Sequence, residues 1–121
     1  MHNFKKLHAW NASIEMVTDV YKFTETFPKT EIYGLTNQMR RCAVSISSNI
    51  AEGAGRSSNP QFRVFLGYAY GSSCELETQM IIANKLNFLN SETLERLSAS
   101  LSEIQKMIFK LSQSLKDETK K

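Results

Sequence analysis

The residue types that most often bind metals or attack substrates are few and scattered in this sequence. Its two histidines, His2 and His8, lie near the N-terminus, and their spacing matches none of the histidine-based zinc motifs. The two cysteines, Cys42 and Cys74, lack both a C-x-x-C spacing and further ligands nearby. We therefore expect no metal and no other cofactor, and we interpret both cysteines as buried thiols that pack as small apolar groups.

Carboxylates and glycine-rich segments also lack the spacing that catalysis requires. Glu75 and Glu77 are two residues apart, so on a helix they point to different faces, and the E-x-x-H motif of di-iron bundles does not occur. The segment GAGR, residues 53–56, follows a predicted helix, whereas phosphate-binding loops follow strands. We expect this segment to end a helix, and the sequence as a whole predicts a protein that is not an enzyme.

Polar residues recur at helical spacing in the segment RRCAVSISSNIAEGAGR, residues 40–56, beside an apolar stripe. One interpretation is a buried polar network that fixes the register of the helices, since paired arginines and carboxylates often orient helices in this way. The other interpretation is a recognition surface. The candidate members of the network are Arg41, Asn49, Glu52, Arg63 and Glu75.

The chain carries a net charge of +3, which permits contact with nucleic acid without requiring it. A solvated surface explains the dispersed basic residues adequately. In an oligomer, however, a modest charge per chain is multiplied and favours binding of a polyanion. The candidate nucleic-acid contacts are Lys5, Lys6, Arg40, Arg56, Lys106 and Lys110.

Apolar residues at steps of three and four predict four amphipathic helices, and no segment alternates as a half-buried strand would. Because the helices are similar in length and joined by short loops, the predicted fold is an all-α, antiparallel up-down four-helix bundle. The predicted helices run from Phe4 to Phe27, from Thr30 as N-cap to Gly53 or Gly55, from Asn59 as N-cap to Leu86, and from Asn90 or Ser91 to Leu115, before a frayed tail at residues 116–121.

Each predicted helix has an apolar stripe that we expect to be buried. In the first helix the stripe is Leu7, Trp10, Ile14, Val17 and Tyr21, and in the second it starts at Ile32. The fourth helix carries an unbroken seven-residue repeat, which is the pattern of a buried seam. Its members are Leu94, Leu97, Leu101, Ile104, Ile108, Leu111 and Leu115.

The short loop between the second and third helices also predicts which of their residues lie level. Folding the two helices back about Ser58 places Arg41 opposite Glu75 and Cys42 opposite Cys74. It also allows the small residues of the second helix to face Gly67 and Gly71, so that the two backbones approach closely.

Length and composition indicate one soluble domain. A chain of 121 residues with 41% hydrophobic residues can build one core, and no apolar run approaches the roughly 20 residues of a membrane helix. The N-terminal segment lacks the small-residue cleavage site of a signal peptide. We therefore expect a single domain over residues 1–121 that stays in the cytoplasm.

Two long motifs resemble those of a known family. EIYGLTNQMRRCAVSISSNIAEGAGR at residues 31–56 and FLGYAYGSSCELETQ at residues 65–79 are similar to the four-helix bundle proteins encoded in intervening sequences of bacterial 23S rRNA genes. The opening F-K-x-L-x-x-W belongs to the same pattern, so the resemblance covers nearly the whole chain. Cys42 and Ser47 stand where the family pattern has alanine and proline, and Ser47 should leave the second helix less kinked.

The resemblance implies a bundle that assembles into a homopentamer, and it carries over no catalytic residue. Related proteins include the accessory variability proteins of diversity-generating retroelements, which bind nucleic acid and partner a reverse transcriptase. The leading hypothesis is therefore a non-catalytic oligomer that binds RNA or a nucleic-acid enzyme such as a reverse transcriptase-like protein. The alternative is a structural or protein-interaction module that does not bind nucleic acid.

Overall fold

The computed structural model describes the backbone of residues 1–119 and the side chains of residues 1–116. Within this range the chain forms four α-helices and no strand. They are α1 (His8–Thr24), α2 (Leu35–Ala54), α3 (Asn59–Lys85) and α4 (Ser91–Thr119), with short 3-10 helices at Phe4–Lys6 and Lys29–Glu31. The helix α4 thus continues past its predicted end, and the predicted fraying at residues 120–121 lies outside the described residues.

Each helix packs against the next one along the chain, and α4 also packs against α1, which closes the bundle. Arg63 near the start of α3 bonds to Ser112 in the last turns of α4, whereas Glu77 later in α3 accepts from Gln105 earlier in α4. The two helices are therefore antiparallel. The predicted all-α, antiparallel four-helix bundle is confirmed, and no helix within the described residues is long and apolar enough to span a membrane.

The seven-residue repeat of α4 forms the seam of the core, as predicted. Its buried members are Leu97, Leu101, Ile104, Ile108 and Leu115, and its half-buried members are Leu94 and Leu111. Fully buried partners from the other helices include Met16, Ile46, Ile50, Leu66 and Leu76. The core therefore takes large side chains from all four helices.

The predicted stripe of α1 is wrong by about one residue of helical rotation. The line that faces the centre of the bundle is Ala9, Ser13, Met16 and Val20. The predicted residues Leu7, Trp10, Ile14 and Val17 are half-buried at its edge, and Tyr21 is exposed. Small side chains let a helix approach its neighbours closely, and the Ser13 hydroxyl is satisfied because it donates to the Trp10 carbonyl at 2.7 Å.

The start of α2 also differs from the prediction. Thr30 lies in a separate 3-10 helix rather than at the N-cap, and α2 begins at Leu35 after Gly34. The backbone N–H of Leu35 donates to the Glu31 carboxylate at 3.1 Å, so Glu31 serves the first turn of α2 in place of Thr30. Because Ile32 precedes the helix, it is exposed instead of buried.

The glycines at the end of α2 have different tasks from the predicted one. Gly55 caps the helix with a φ of −84°, so no left-handed residue closes α2. Gly53 lies inside α2, and a Cβ at this position would come within 2.8 Å of both Phe62 and Phe65. Glycine is required at position 53 because α2 and α3 are in direct contact there.

The N-cap of α3 is the neighbour of the predicted residue, whereas the end of α3 at Leu86 agrees with the prediction. Ser58, rather than Asn59, is the N-cap, and its hydroxyl accepts from the Gln61 N–H at 3.3 Å. At the C-terminus Asn87 adopts a left-handed φ of 64°, and the Phe88 N–H reaches the Ala83 carbonyl at 2.9 Å. This is a Schellman closure, which turns the chain sharply into α4.

The position of α3 along the axis of α2 is as predicted, but the predicted rotation of α3 about its own axis is wrong. Cys42 and Ser45 of α2 both bond to Ser72, at the expected level. Gly67, Gly71 and Cys74 instead face outward; Cys74 is exposed, and a Cβ at either glycine would meet nothing within 4 Å. Hairpin geometry determines the level of residues along the axis, whereas side-chain packing determines rotation about it.

Candidate functional site

Five of the six predicted nucleic-acid contacts lie on the half of the bundle that contains the chain start. The 3-10 helix that carries Lys5 and Lys6 packs against α2, and the His2 N–H donates to the Ala54 carbonyl at 2.8 Å. Arg56 follows the end of α2 at the same end of the bundle. Lys106 and Lys110 lie on the exposed surface of α4, in the half that leads to this end.

The charges at this end, which we call the basic end (Lys5, Lys6, Arg56 and Lys110), differ in how they are paired. Arg56 forms an exposed ion pair with Glu52 at 3.7 Å, and its guanidinium lies 4.5 Å from the centroid of the Phe65 ring. Lys5, Lys6 and Lys110 are exposed and form no ion pair with the described carboxylates. Lys106 pairs with Glu103 at 3.4 Å. The basic end therefore presents unpaired cations to solvent.

Helix dipoles contribute little net potential to the basic end. Both α1 and α3 start there without an acidic residue in their first turns. However, α2 and α4 end there, and the partial negative charge of their C-termini offsets the partial positive charge of the two N-termini.

Arg40 is the exception among the six, because the structure places it at the opposite end of the bundle. Its Nε donates to Thr24 Oγ1 at 2.9 Å, its guanidinium lies 4.6 Å from the Tyr21 ring centroid, and Glu25 is 3.9 Å away. These contacts make Arg40 a half-buried link between α1 and α2, and they separate it from the other five residues.

The prediction of a buried polar network is wrong. Arg41, Glu52 and Glu75 are exposed, and only Asn49 and Arg63 are half-buried. Asn49 donates to the carbonyl and hydroxyl of Ser45 within α2. Arg63 donates to the carbonyl and hydroxyl of Ser112 on α4, at 3.1 and 3.2 Å. Small residues make the contact between α2 and α3, so the long charged side chains lie at its edges and reach into solvent.

Two members of the predicted network do meet, but in an open polar cleft between α2 and α3. We call it the α2/α3 cleft; it has a volume of about 480 Å³. The cleft brings together Arg41 from α2 and Glu75 from α3, without an ion pair between them. Its lining residues are Tyr33, Asn37, Gln38, Arg41, Cys42, Ser45, Ser72, Glu75 and Gln79.

The floor of the cleft is a set of small groups that satisfy one another. The Cys42 thiol donates to the Ser72 carbonyl at 3.0 Å, and the hydroxyls of Ser45 and Ser72 bond at 2.9 Å. Burial, together with the negative charge of Glu75, raises the pKa of the Cys42 thiol to about 12. The thiol is therefore protonated at neutral pH and is a poor nucleophile.

Gln79 is the residue of the cleft that sequence reasoning missed. Its side chain is only 6% exposed, and its Oε1 atom is buried without a hydrogen-bond partner among the described residues. A buried, unpaired carbonyl costs about 1–3 kcal/mol, so it calls for an explanation. The signal was present in the sequence, because a glutamine between Leu76 and Met80 interrupts the core-facing stripe of α3.

The outward face of α3 is a second unusual surface. It has no charged residue over about five helical turns. Glu75 and Glu77, the two charged residues between Arg63 and Lys85, point to its sides, toward the α2/α3 cleft and α4 respectively. This α3 outer face consists of Val64, Gly67, Gly71, Cys74, Thr78, Ile81 and Ile82, all exposed.

None of the described side chains form a group of three or more His, Cys, Asp or Glu residues that could hold a metal ion.

Comparison with known proteins agrees with the fold and identifies the family. A crystal structure with the same fold is that of a protein of unknown function from the S23 ribosomal protein family of Bacteroides thetaiotaomicron VPI-5482, with a TM-score of 0.77. The two chains are 21% identical over 86% of this chain and 97% of the other. No curated protein matches the chain significantly. The sequence profile of one family matches residues 5–110, in agreement with the predicted resemblance, and the chain therefore belongs to the 23S rRNA-intervening sequence protein family.

Proposed function

We propose that the protein is a non-catalytic, self-associating module of the cytoplasm that binds RNA through its basic end. The observation that carries this proposal is that Lys5, Lys6 and Lys110 are exposed in the same half of the bundle and have no carboxylate partner among the described residues. Lysines that are not neutralised within the protein are available to phosphates, and their contacts release counterions from the nucleic acid.

The stacked Arg56 supports the same proposal. Its guanidinium is held over the Phe65 ring while about half of the side chain remains exposed. An arginine whose plane is already oriented loses less conformational entropy when it binds a phosphate or stacks on a base. The partner Glu52 is exposed, so this ion pair is weak and can be exchanged for a phosphate contact.

Self-association is proposed to occur through the α3 outer face, and five subunits are the expected number. The α3 outer face exposes Val64, Ile81 and Ile82, and exposed apolar side chains that share one charge-free face often mark a contact with another protein. Gly67 and Gly71 leave open space that permits close approach of a second backbone. An assembly of this kind would repeat the basic end once per subunit.

Two measurements test the proposal together. Light scattering of the purified protein should give a mass near five times 13.8 kDa that is unchanged by nuclease treatment. Filter binding of single-stranded RNA should weaken steeply with salt; about four phosphate contacts predict a loss of roughly 50-fold between 50 and 200 mM salt. RNA binding that is absent at low salt would overturn the proposed function.

A substitution at Gly71 tests whether the α3 outer face is the surface of self-association. Gly71→Glu should reduce the mass to that of one chain without loss of helical signal, because the new side chain meets no atom of its own subunit and glutamate favours helix more than glycine does. Ala99→Glu on the exposed side of α4 is the matched control and should keep the assembly. An unchanged mass for Gly71→Glu would exclude this face.

The second candidate is a protein-interaction module that does not bind nucleic acid. The charge-free α3 outer face favours it, because a different protein could cover this face instead of a second copy. An assembly that carries no RNA and protein partners that survive nuclease treatment would support this candidate.

A further inference from the structure

The α2/α3 cleft holds three polar groups whose hydrogen-bonding capacity is largely unused within the described part of the chain. Arg41 is exposed and has no partner among the described residues. Glu75 is exposed, and its carboxylate lies near enough to the Cys42 thiol to raise the pKa of that thiol. The Oε1 atom of Gln79 is buried and unpaired. Other polar groups of the cleft, such as Ser45 and Ser72, already bond to each other.

The positions of these groups define the chemistry of a ligand. Glu75 and Gln79 are four residues apart on α3, so their two acceptors lie on one face about one helical turn from each other. Arg41 lies on the opposite wall, on α2, and offers only donors. A matching ligand is neutral and has adjacent donors on one edge with an acceptor next to them.

We propose that the α2/α3 cleft binds an unpaired guanine base of RNA. The N1–H and N2–H groups of guanine form an edge that donates to the Glu75 carboxylate, and the second N2 hydrogen can reach Gln79 Oε1. The O6 atom of guanine then faces Arg41, since arginine commonly donates to O6. Adenine presents an acceptor where guanine has N1–H, so Glu75 would repel it.

The size and rim of the cleft agree with this ligand. A volume of about 480 Å³ lies within the range of small-ligand sites. Tyr33 lines the cleft and is 92% exposed, so its ring is available for a base to stack on it. Sequence-specific RNA recognition commonly uses bases splayed out of a loop, stacked on an aromatic ring and read along the Watson–Crick edge.

This inference rests on the proposed RNA binding, but it can be tested separately with nucleosides. Inosine differs from guanosine only by the missing N2 amino group, which is the group assigned to Glu75 and Gln79. Calorimetry should therefore show guanosine binding roughly tenfold more tightly than inosine. The same ratio of affinities should appear when two short oligouridines are compared, one with a central guanosine and the other with a central inosine.

The matched variants are Glu75→Gln and Glu77→Gln. Both remove one negative charge from α3 and so change phosphate affinity alike, but Glu77 faces α4, where it accepts from Gln105 at 3.5 Å. Glu75→Gln should lower the guanosine-to-inosine ratio, because the amide offers one acceptor oxygen in place of the two of the carboxylate, and Glu77→Gln should keep the ratio. Since Glu75 is exposed, the variant is expected to fold normally.

The other outcomes separate the two proposals. RNA that binds with salt dependence but with no preference for guanosine would overturn the guanine site and leave the proposed function intact. Guanosine binding that depends on Glu75, without any RNA binding, would support the guanine site and overturn the proposed function. A guanosine preference that is unchanged in Glu75→Gln, or a change of assembly mass in this variant, would overturn the assignment to the cleft.

Discussion

The guanidinium of Arg40 lies 4.6 Å from the centre of the Tyr21 ring and links α2 to α1. Its Nε also donates to Thr24 Oγ1 at 2.9 Å, and Thr24 is a buried residue of α1. The neighbouring Arg41 is exposed and forms no such contact. Two adjacent arginines on one helix therefore differ completely in environment, which makes them a natural pair for comparison.

We expect Arg40→Ala to lower the free energy of unfolding by about 1–3 kcal/mol, because it removes a cation–π contact and leaves Thr24 without its donor. Arg41→Ala is the control and should change it by less than about 0.5 kcal/mol. Urea denaturation followed by circular dichroism measures both values. Equal losses for the two variants would contradict the structural role of Arg40.

Gly53→Ala should destabilise the bundle although alanine favours helix. The added Cβ would lie 2.8 Å from Phe62 Cδ1 and from Phe65 Cβ, and the latter is held by the backbone of α3. Overpacking of this kind costs about 1–3 kcal/mol. At Gly55 the nearest atom is 3.6 Å away and φ is −84°, so Gly55→Ala should be close to neutral. Thermal melts that rank the two variants in the opposite order would show that α2 and α3 are not in contact at Gly53.

The Cys42 thiol should be inert in the folded protein. With a pKa near 12, only roughly one thiol in ten thousand is ionised at pH 8. In a Cys74→Ser variant, a thiol reagent should therefore label the chain only after denaturation. Labelling of the native protein at the rate of a free thiol would contradict the buried position of Cys42.

The same pKa shift determines how the free energy of unfolding changes with pH. The folded pKa lies above the reference value of 9.0, so the folded state keeps its proton where the unfolded state has lost it. The contribution of the protonated Cys42 thiol to the free energy of unfolding is complete below about pH 9 and is lost progressively as the pH rises toward 12. Cys42→Ser should remove this part of the alkaline loss of stability, which melting temperatures across this range would show.

The basic end can be tested with matched pairs of lysines. Lys5→Ala/Lys6→Ala and Lys22→Ala/Lys29→Ala lower the net charge equally, but the second pair lies at the opposite end of the bundle. For single-stranded RNA, loss of two phosphate contacts should reduce the slope of log affinity against log salt by about 1.4. The second pair should leave the slope nearly unchanged, and equal effects would mean that binding follows net charge alone.

Local sequence patterns were sufficient for the number of helices and for the seam of α4. The repeat from Leu94 to Leu115 has one period throughout, so its buried side follows from helix geometry alone. The level of α2 against α3 also followed from the sequence, since the short loop near Ser58 leaves little freedom along the axis. Cys42 and Ser45 meet Ser72 where the hairpin predicted contact.

Rotation of each helix about its axis was decided only by the tertiary structure. Arg41 and Glu75 were correctly placed at one level, but whether they meet in the core or at its edge depends on side chains from two helices at once. The helices α2 and α3 are in contact at Gly53 and Ser72, and Gly67 and Gly71 lie outside this contact. The helical period of 3.6 residues identifies the buried face of a helix to within about one residue. Close packing of small residues then determines the remaining rotation of the helix about its axis. For the same reason the sequence contained Gln79 but did not reveal that it lies beside an open cleft.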